Sequence, residues 1–227
     1  MKPRERIASA RAPDGALLEL YRHDGAHIIM LGGNELMSSR VGGSEEALAT
    51  MTCARLARPD AHLLIGGYGM GFTLRAALSV LGATARASVV EIVPEIIDWA
   101  RGPLAALTAG CLDDPRVDII QGDVAAAIVA AKGRYDAILL DVDNGPDGLT
   151  RPANDGLYSR QGLAHARAAL KPGGVLAVWS ASSSAAFSRR LSEAGFAVDE
   201  VAVRARRKGK GPKHVVWFAQ RASNRHS

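Results

Sequence analysis

From residue 61 onward, short apolar runs alternate with amphipathic stretches. The runs AHLLIG (61–66), RASVVEI (86–92), RVDIIQ (116–121), YDAILLD (135–141) and GVLAVWS (174–180) predict strands. The spacing between them predicts helices over about 70–81, 94–109, 123–132 and 157–170. The strand runs are nearly continuous in apolar residues, as expected where helices cover both faces of a sheet. Repeated strand–helix–strand units imply right-handed crossovers and parallel pairing. Beyond residue 180, a helix over about 183–194 gives way to a period of two. In FAVDEVAVRAR (196–206), Phe196, Val198, Val201 and Val203 alternate with polar neighbours, with one break at Asp199–Glu200. RKGKGP (207–212) then turns into KHVVWFA (213–219), which predicts an antiparallel hairpin ending the sheet. Ahead of residue 60, ALLELYR, AHIIMLG and NELMSSR are short strand-like pieces broken at Asp24-Gly25 and Gly32-Gly33. They predict a β appendage over 16–40, followed by a helix capped by Ser44 and running through Glu45, Glu46, Leu48 and Met51.

The fold class is therefore α/β: a doubly wound, mostly parallel seven-stranded sheet with a C-terminal antiparallel hairpin and a small N-terminal β appendage. The expected partition is an appendage over 1–43, the main domain over 44–221 and a basic tail over 222–227. A chain of 227 residues that is 48% hydrophobic supports one such core. Its two cysteines, Cys53 and Cys111, lack ligand-like spacing and read as reduced thiols. The first fifteen residues carry charge without an apolar core, so no signal peptide, no membrane span and a cytoplasmic protein are expected. The six histidines are scattered, and no metal site is expected.

Charge is unevenly distributed. After Glu200 there is no acidic residue, but there are eight basic ones: Arg204, Arg206, Arg207, Lys208, Lys210, Lys213, Arg221 and Arg225. Of 28 basic residues, 20 remain ahead of them against 23 acidic ones, so the body is mildly acidic. Such a loop (204–213) suits anionic partners, nucleic acid among them, although a solvated loop and terminus is the favoured reading.

The candidate chemistry lies at the carboxyl ends of the predicted strands, where doubly wound sheets bind ligands. The first strand runs into Gly67-Tyr68-Gly69-Met70-Gly71, which lets the backbone approach a ligand and turn into a helix. The second ends at Glu91, a carboxylate able to accept hydrogen bonds from both hydroxyls of a ribose. The third is followed by Gly122-Asp123, and the fourth ends at Asp141. A dinucleotide fingerprint needs a third glycine where Phe72 stands, and the loop has no Walker lysine. A ribose-binding acid without a phosphate cradle suits S-adenosylmethionine or a relative of it. Asp143 and Asp147 crowd the same strand end, where carboxylates are costly unless paired or hydrated; both also fit simple turn chemistry.

VVEIVPEIIDWAR (89–101), DDPRVDIIQGD (113–123), YDAILLD (135–141) and ALKPGGVLAV (169–178) resemble the spermidine synthase family, the polyamine aminopropyltransferases. That family has the Rossmann-like class I S-adenosylmethionine-dependent methyltransferase fold, and the resemblance covers about residues 40–180. It implies that Gly67, Gly69 and Gly71 pass beside the sulfonium end of S-adenosylmethionine or its decarboxylated form. It implies further that Glu91, with Ile92 beside it, holds the ribose, and that Asp123 and the backbone of Val124 face the adenine. Asp141 takes the place of the catalytic aspartate. The segment PANDGLY (152–158) matches the one closing the substrate side, which brings in Tyr158. Tyr68, inside the glycine loop, is expected to cover the cofactor or touch the acceptor.

The amine side departs from the family pattern. The family's second carboxylate is replaced by Asn144 or displaced to Asp143. The family's Tyr-His-Glu reads Gly43-Ser44-Glu45, which leaves only Glu45 to face a small-molecule amine. The leading expectation is a transferase of aminopropyl groups to a polyamine. The alternatives are a methyltransferase of unknown acceptor, with Arg75 offered as the cation for the donor's carboxylate, and a non-catalytic binder of polyamine or nucleic acid. A homodimer is left open.

Overall fold

The computed structural model describes residues 3–142, 145–146, 155–206 and 211–223. Four strands open the chain: β1 (Glu5–Arg11), β2 (Leu17–His23), β3 (Ala26–Leu31) and β4 (Asn34–Ser38). They form an antiparallel meander in the order β1-β2-β3-β4. β1 went unseen in the hydrophobic pattern because pairing rather than alternation makes it. It carries a bulge between Arg6 and Ala8 and joins β2 through the ion pairs Arg6–Glu19 (3.1 Å) and Glu5–Arg22 (2.8 Å).

Helix α1 (Gly43–Leu56) leads into β5 (His62–Gly66), α2 (Phe72–Val80), β6 (Arg86–Glu91), α3 (Pro94–Arg101) and α4 (Ala105–Thr108). The helix expected over 94–109 is two helices. It stops at Gly102, and Pro103 has no N–H with which to continue it. A 3₁₀ turn at Cys111–Asp113 precedes β7 (Val117–Gln121), α5 (Val124–Val129) and β8 (Tyr135–Leu140). The chain closes with α6 (Asp155–Tyr158), α7 (Arg160–Ala169), β9 (Leu170–Ser180), α8 (Ala185–Glu193), β10 (Phe196–Arg204) and β11 (Lys213–Arg221).

The second sheet has seven strands in the order β10-β11-β9-β8-β5-β6-β7. β9, β8, β5, β6 and β7 are parallel, and the β10–β11 hairpin adds antiparallel to β9. Successive residues of each inner strand serve opposite faces. Leu63, Ile65, Ala137 and Leu139 join one core beneath α1, α2, α3 and the N-terminal sheet. Leu64, Ile138, Leu140 and Trp217 join the other, beneath α5, α7 and α8. The break at Asp199–Glu200 is a change of phase: Phe196 and Val198 serve the second core, Val201 and Val203 the first.

The chain runs outward from β5 to β6 and β7, then returns to the other side of β5 as β8. A crevice opens at such a reversal, because the two crossovers leave the strand ends on opposite sides. The tips of β5 and β8 flank it. The Asp141 N–H donates to the Gly66 carbonyl at 3.2 Å, and the Gly67 N–H to the Val90 carbonyl of β6 at 2.9 Å.

Candidate functional site

The cleft over these strand tips encloses about 1040 Å³ of empty space, part of it continuous with solvent. Its floor comprises Gly67, Gly69, Glu91, Ile92, Gly122, Asp123, Val124 and Asp141, the ends of four adjacent strands. Leu18, Ile29, Leu31, Leu36 and Met37 of the N-terminal sheet roof it, and Glu45 of α1 closes one side.

The glycine loop forms part of the floor. Gly67 has φ +81°, and a side chain there would put its Cβ 2.7 Å from the Asp141 carbonyl oxygen. Glycine is therefore required twice over, by the left-handed backbone and by the neighbouring strand tip. Gly71, also left-handed at φ +75°, is the N-cap of α2 and faces the Tyr68 hydroxyl instead of the cleft. Tyr68 itself corrects an expectation. Its side chain is buried beneath the loop, its hydroxyl 3.4 Å from Cys111 Sγ, and only its backbone N–H turns to the site.

Glu91 receives that N–H at 2.9 Å on Oε2 and the Val93 N–H at 2.8 Å on Oε1. Burial raises its pKa, and these backbone donors oppose the rise. Glu91 lines the cleft at the tip of β6. Asp123 is exposed at the N-cap of α5, where its Oδ1 accepts the Ala125 N–H at 2.8 Å. Val124 is buried beside it against Gly66, while Ile92 projects into the open mouth.

Asp141 is half-buried, and its Oδ2 accepts the Thr73 hydroxyl at 2.8 Å. Glu45 is buried on the first turn of α1, where its Oε2 accepts the Ser44 hydroxyl at 2.5 Å. Both carboxyls are displaced upward in pKa. For Asp141 the cause is burial; for Glu45 it is burial and then the charge of Asp141. Ser44 does not cap α1 as expected. The N-cap is Gly42, without a side-chain bond, which frees the Ser44 hydroxyl for Glu45 and for His214 Nδ1 at 2.9 Å. Thr73 and His214 gave no sequence signal: one is a helix residue, the other a lone strand histidine.

Tyr158 is a second correction. It is buried, its hydroxyl donating to the Val142 carbonyl at 3.5 Å and its ring edge-on to Phe187. It holds Val142 at the tip of β8 and is not among the residues lining the cleft. Trp179 packs in the first core and also forms part of the cleft wall. Arg75 points elsewhere: it donates to the Leu107 carbonyl and lies 3.8 Å from Glu46. Asp143, Asn144 and Asp147 lie outside the described residues. Among the described residues, the cleft is lined by four carboxylates and by no lysine or arginine.

A doubly wound sheet with a glycine turn and four acids lining a cleft at the tips of adjacent strands defines an α/β domain of the kind that binds ligands where the strand order reverses. Residues 43–191 match the spermine/spermidine synthase domain, and the chain belongs to that family. It is 37% identical over 126 residues to polyamine aminopropyltransferase 2 of Pseudomonas aeruginosa, covering 53% of this chain and 33% of that one. It is 36% identical over 132 residues to putrescine N-methyltransferase 4 of Nicotiana tabacum, covering 58% and 32%. These alignments thus span about a third of the relatives' length. The structure of spermidine synthase from Thermotoga maritima superposes with a TM-score of 0.74 at 21% identity, covering 97% of this chain and 73% of that one. That likeness is one of fold.

Proposed function

We propose that the protein transfers an aminopropyl group from decarboxylated S-adenosylmethionine to a small amine of the polyamine class. The observation that carries this reading is the charge of the cleft. Glu45, Glu91, Asp123 and Asp141 line it, and no cation among the described residues does. A methyl donor's carboxylate would lack a counter-charge there, whereas a decarboxylated donor and a protonated amine are both cationic and match it.

In this reading Glu91 accepts the ribose hydroxyls, Asp123 and the Val124 backbone meet the adenine, and Gly67 and Gly69 lie along the sulfonium end. When bound, the donor supplies an electrophilic carbon on S⁺ and a neutral thioether leaving group. The residues must then supply an unprotonated amine, because an alkylammonium, with a pKa of about 10.4 as for lysine, has no lone pair. Asp141 takes the amine proton and aims the nitrogen; Glu45 holds the same ammonium from the side. The N–C bond forms as the C–S bond breaks, the bonding pair staying on sulfur. The partition into an appendage over 1–43 and a catalytic domain over 44–221 belongs to the same reading, with the appendage as the roof of the site.

A second reading is methyl transfer to the same class of amine, favoured by the 36% identity to a putrescine N-methyltransferase. Calorimetry with the two donors side by side, followed by mass analysis of products from putrescine, separates the two. The decarboxylated donor is expected to bind at least about tenfold tighter, equivalent to 1.4 kcal/mol, and the product to gain an aminopropyl group. Tighter binding of S-adenosylmethionine with a methylated product would overturn the proposal.

A further inference from the structure

The amine reaction leaves a proton on the carboxyls beside the amine, Glu45 among them, and a proton that stays there blocks the next turnover. Ser44 offers an outlet. Its hydroxyl, fully buried, lies 2.5 Å from Glu45 Oε2 and 2.9 Å from His214 Nδ1. These residues are 170 positions apart and meet because the β10–β11 hairpin adds to β9 beside the start of α1. The His214 ring is half-buried and fixed edge-on against Trp179, with centroids 4.8 Å apart. Trp179 is itself part of the cleft wall.

A hydroxyl between a carboxyl and an imidazole has two complete hydrogen-bonding states. With Glu45 ionised, Ser44 donates to Glu45 and His214 Nδ1–H donates to Ser44. With Glu45 protonated, Glu45 donates to Ser44, whose hydrogen turns to a bare Nδ1. The two states differ by the concerted shift of protons along the chain, and neither leaves a buried polar atom unpaired. We propose that His214, acting through Ser44, is the proton outlet of the amine site, an inference that rests on the transfer reading above. Once the N–C bond has formed, the product ammonium gives a proton to Glu45, its N–H bond breaking as the Glu45 O–H bond forms, and that O–H bond then breaks as the Ser44 O–H bond forms. The original Ser44 proton passes to Nδ1, and the imidazolium discharges to bulk water. Burial lowers the His214 pKa, which favours that last release. Along the chain of hydrogen bonds the charged group is Glu45, next to Ser44; on the hairpin Lys213 precedes His214 and stands opposite Arg204 in register.

His214 is thus a positioning residue, and its test needs readouts that a purely structural role would not move. In the full-length protein, ¹⁵N NMR titration of His214 is expected to shift by about half a pH unit or more when Glu45→Gln removes the coupled charge. Ser44→Ala is expected to abolish that sensitivity. With decarboxylated donor and putrescine, His214→Ala is expected to lower kcat about tenfold, a modest share of what proton transfer contributes, with donor affinity unchanged. Added imidazole should restore it. His214→Asn, which can hold the hydroxyl but cannot accept a proton, should remain slow. A His214 titration indifferent to Glu45→Gln, or a wild-type rate in His214→Asn, would overturn the relay. Should His214→Ala fail to fold, His214→Asn and the titration still decide. If the wild-type protein transfers nothing to amines from either donor, the transfer reading falls while the titration alone tests the proton path.

Discussion

Glu91 and Asp141 line the same cleft at the tips of β6 and β8, one at the proposed nucleoside end and one beside the proposed amine. Glu91→Ala deletes two acceptor oxygens and leaves the Tyr68 and Val93 N–H groups without their partner. Donor binding is expected to weaken by at least about 2 kcal/mol, roughly thirtyfold, as measured by calorimetry. Asp141→Asn keeps the shape and the Thr73 contact but removes the proton acceptor. Turnover is expected to fall by about 10²–10⁴-fold with donor affinity retained, so unchanged rates would show that Asp141 is only structural. The raised pKa values of Glu45 and Asp141 also have a stability consequence. Folding holds their protons more tightly than the unfolded chain does, so ionisation costs stability. The cost is absent below the ordinary values of 4.5 and 3.8, where both states are protonated, and complete once pH exceeds the raised ones. Glu45→Gln is therefore expected to raise Tm at pH 8 and to leave it nearly unchanged at pH 4, which thermal scans in the two buffers will check. Glu91, Asp123 and Asp141 were legible in the chain because each ends or follows an apolar run. Tyr68 and Tyr158 were misread because spacing places a residue in a loop or helix without saying which way the ring turns.

Strands β5, β8 and β9 are held in register by a polar cluster at the end opposite the cleft. Asp136, buried, accepts the His62 N–H at 2.8 Å and pairs with Arg58 at 2.9 Å and Lys171 at 2.8 Å. Both cations are well exposed, so the pairs alone are worth little. The larger contribution is the backbone donor, which Asp136→Ala would leave unpaired. A loss of about 1–3 kcal/mol is expected, measured by urea unfolding. The apolar run over 135–140 announced β8 plainly, yet Asp136 within it gave no hint of its partners, which lie on β5, on β9 and in the connection ahead of β5. Period-two alternation also found β10, although it could not show that the break at Asp199–Glu200 lets one edge strand serve both faces. Gly102-Pro103 was a legible stop inside the expected helix 94–109 that periodicity overrode.

The molecule places an acidic cleft under an apolar roof, and a cationic donor bound there should tie the two sheets together. At a donor concentration of 100 Kd, binding stabilises the fold by about 2.7 kcal/mol. For a chain this long that corresponds to a rise in Tm of roughly 5–10 °C, to be read by differential scanning fluorimetry with each donor. Periodicity along the chain sufficed for the strands of the main sheet and for three of the cleft acids, because those signals depend on near neighbours and on one rule about strand ends. It did not extend to the company these acids keep. Thr73 meets Asp141 across 68 positions and Ser44 meets His214 across 170. Such meetings depend on the reversal at β5 and on how the terminal hairpin docks, where close packing rather than local pattern selects the neighbour.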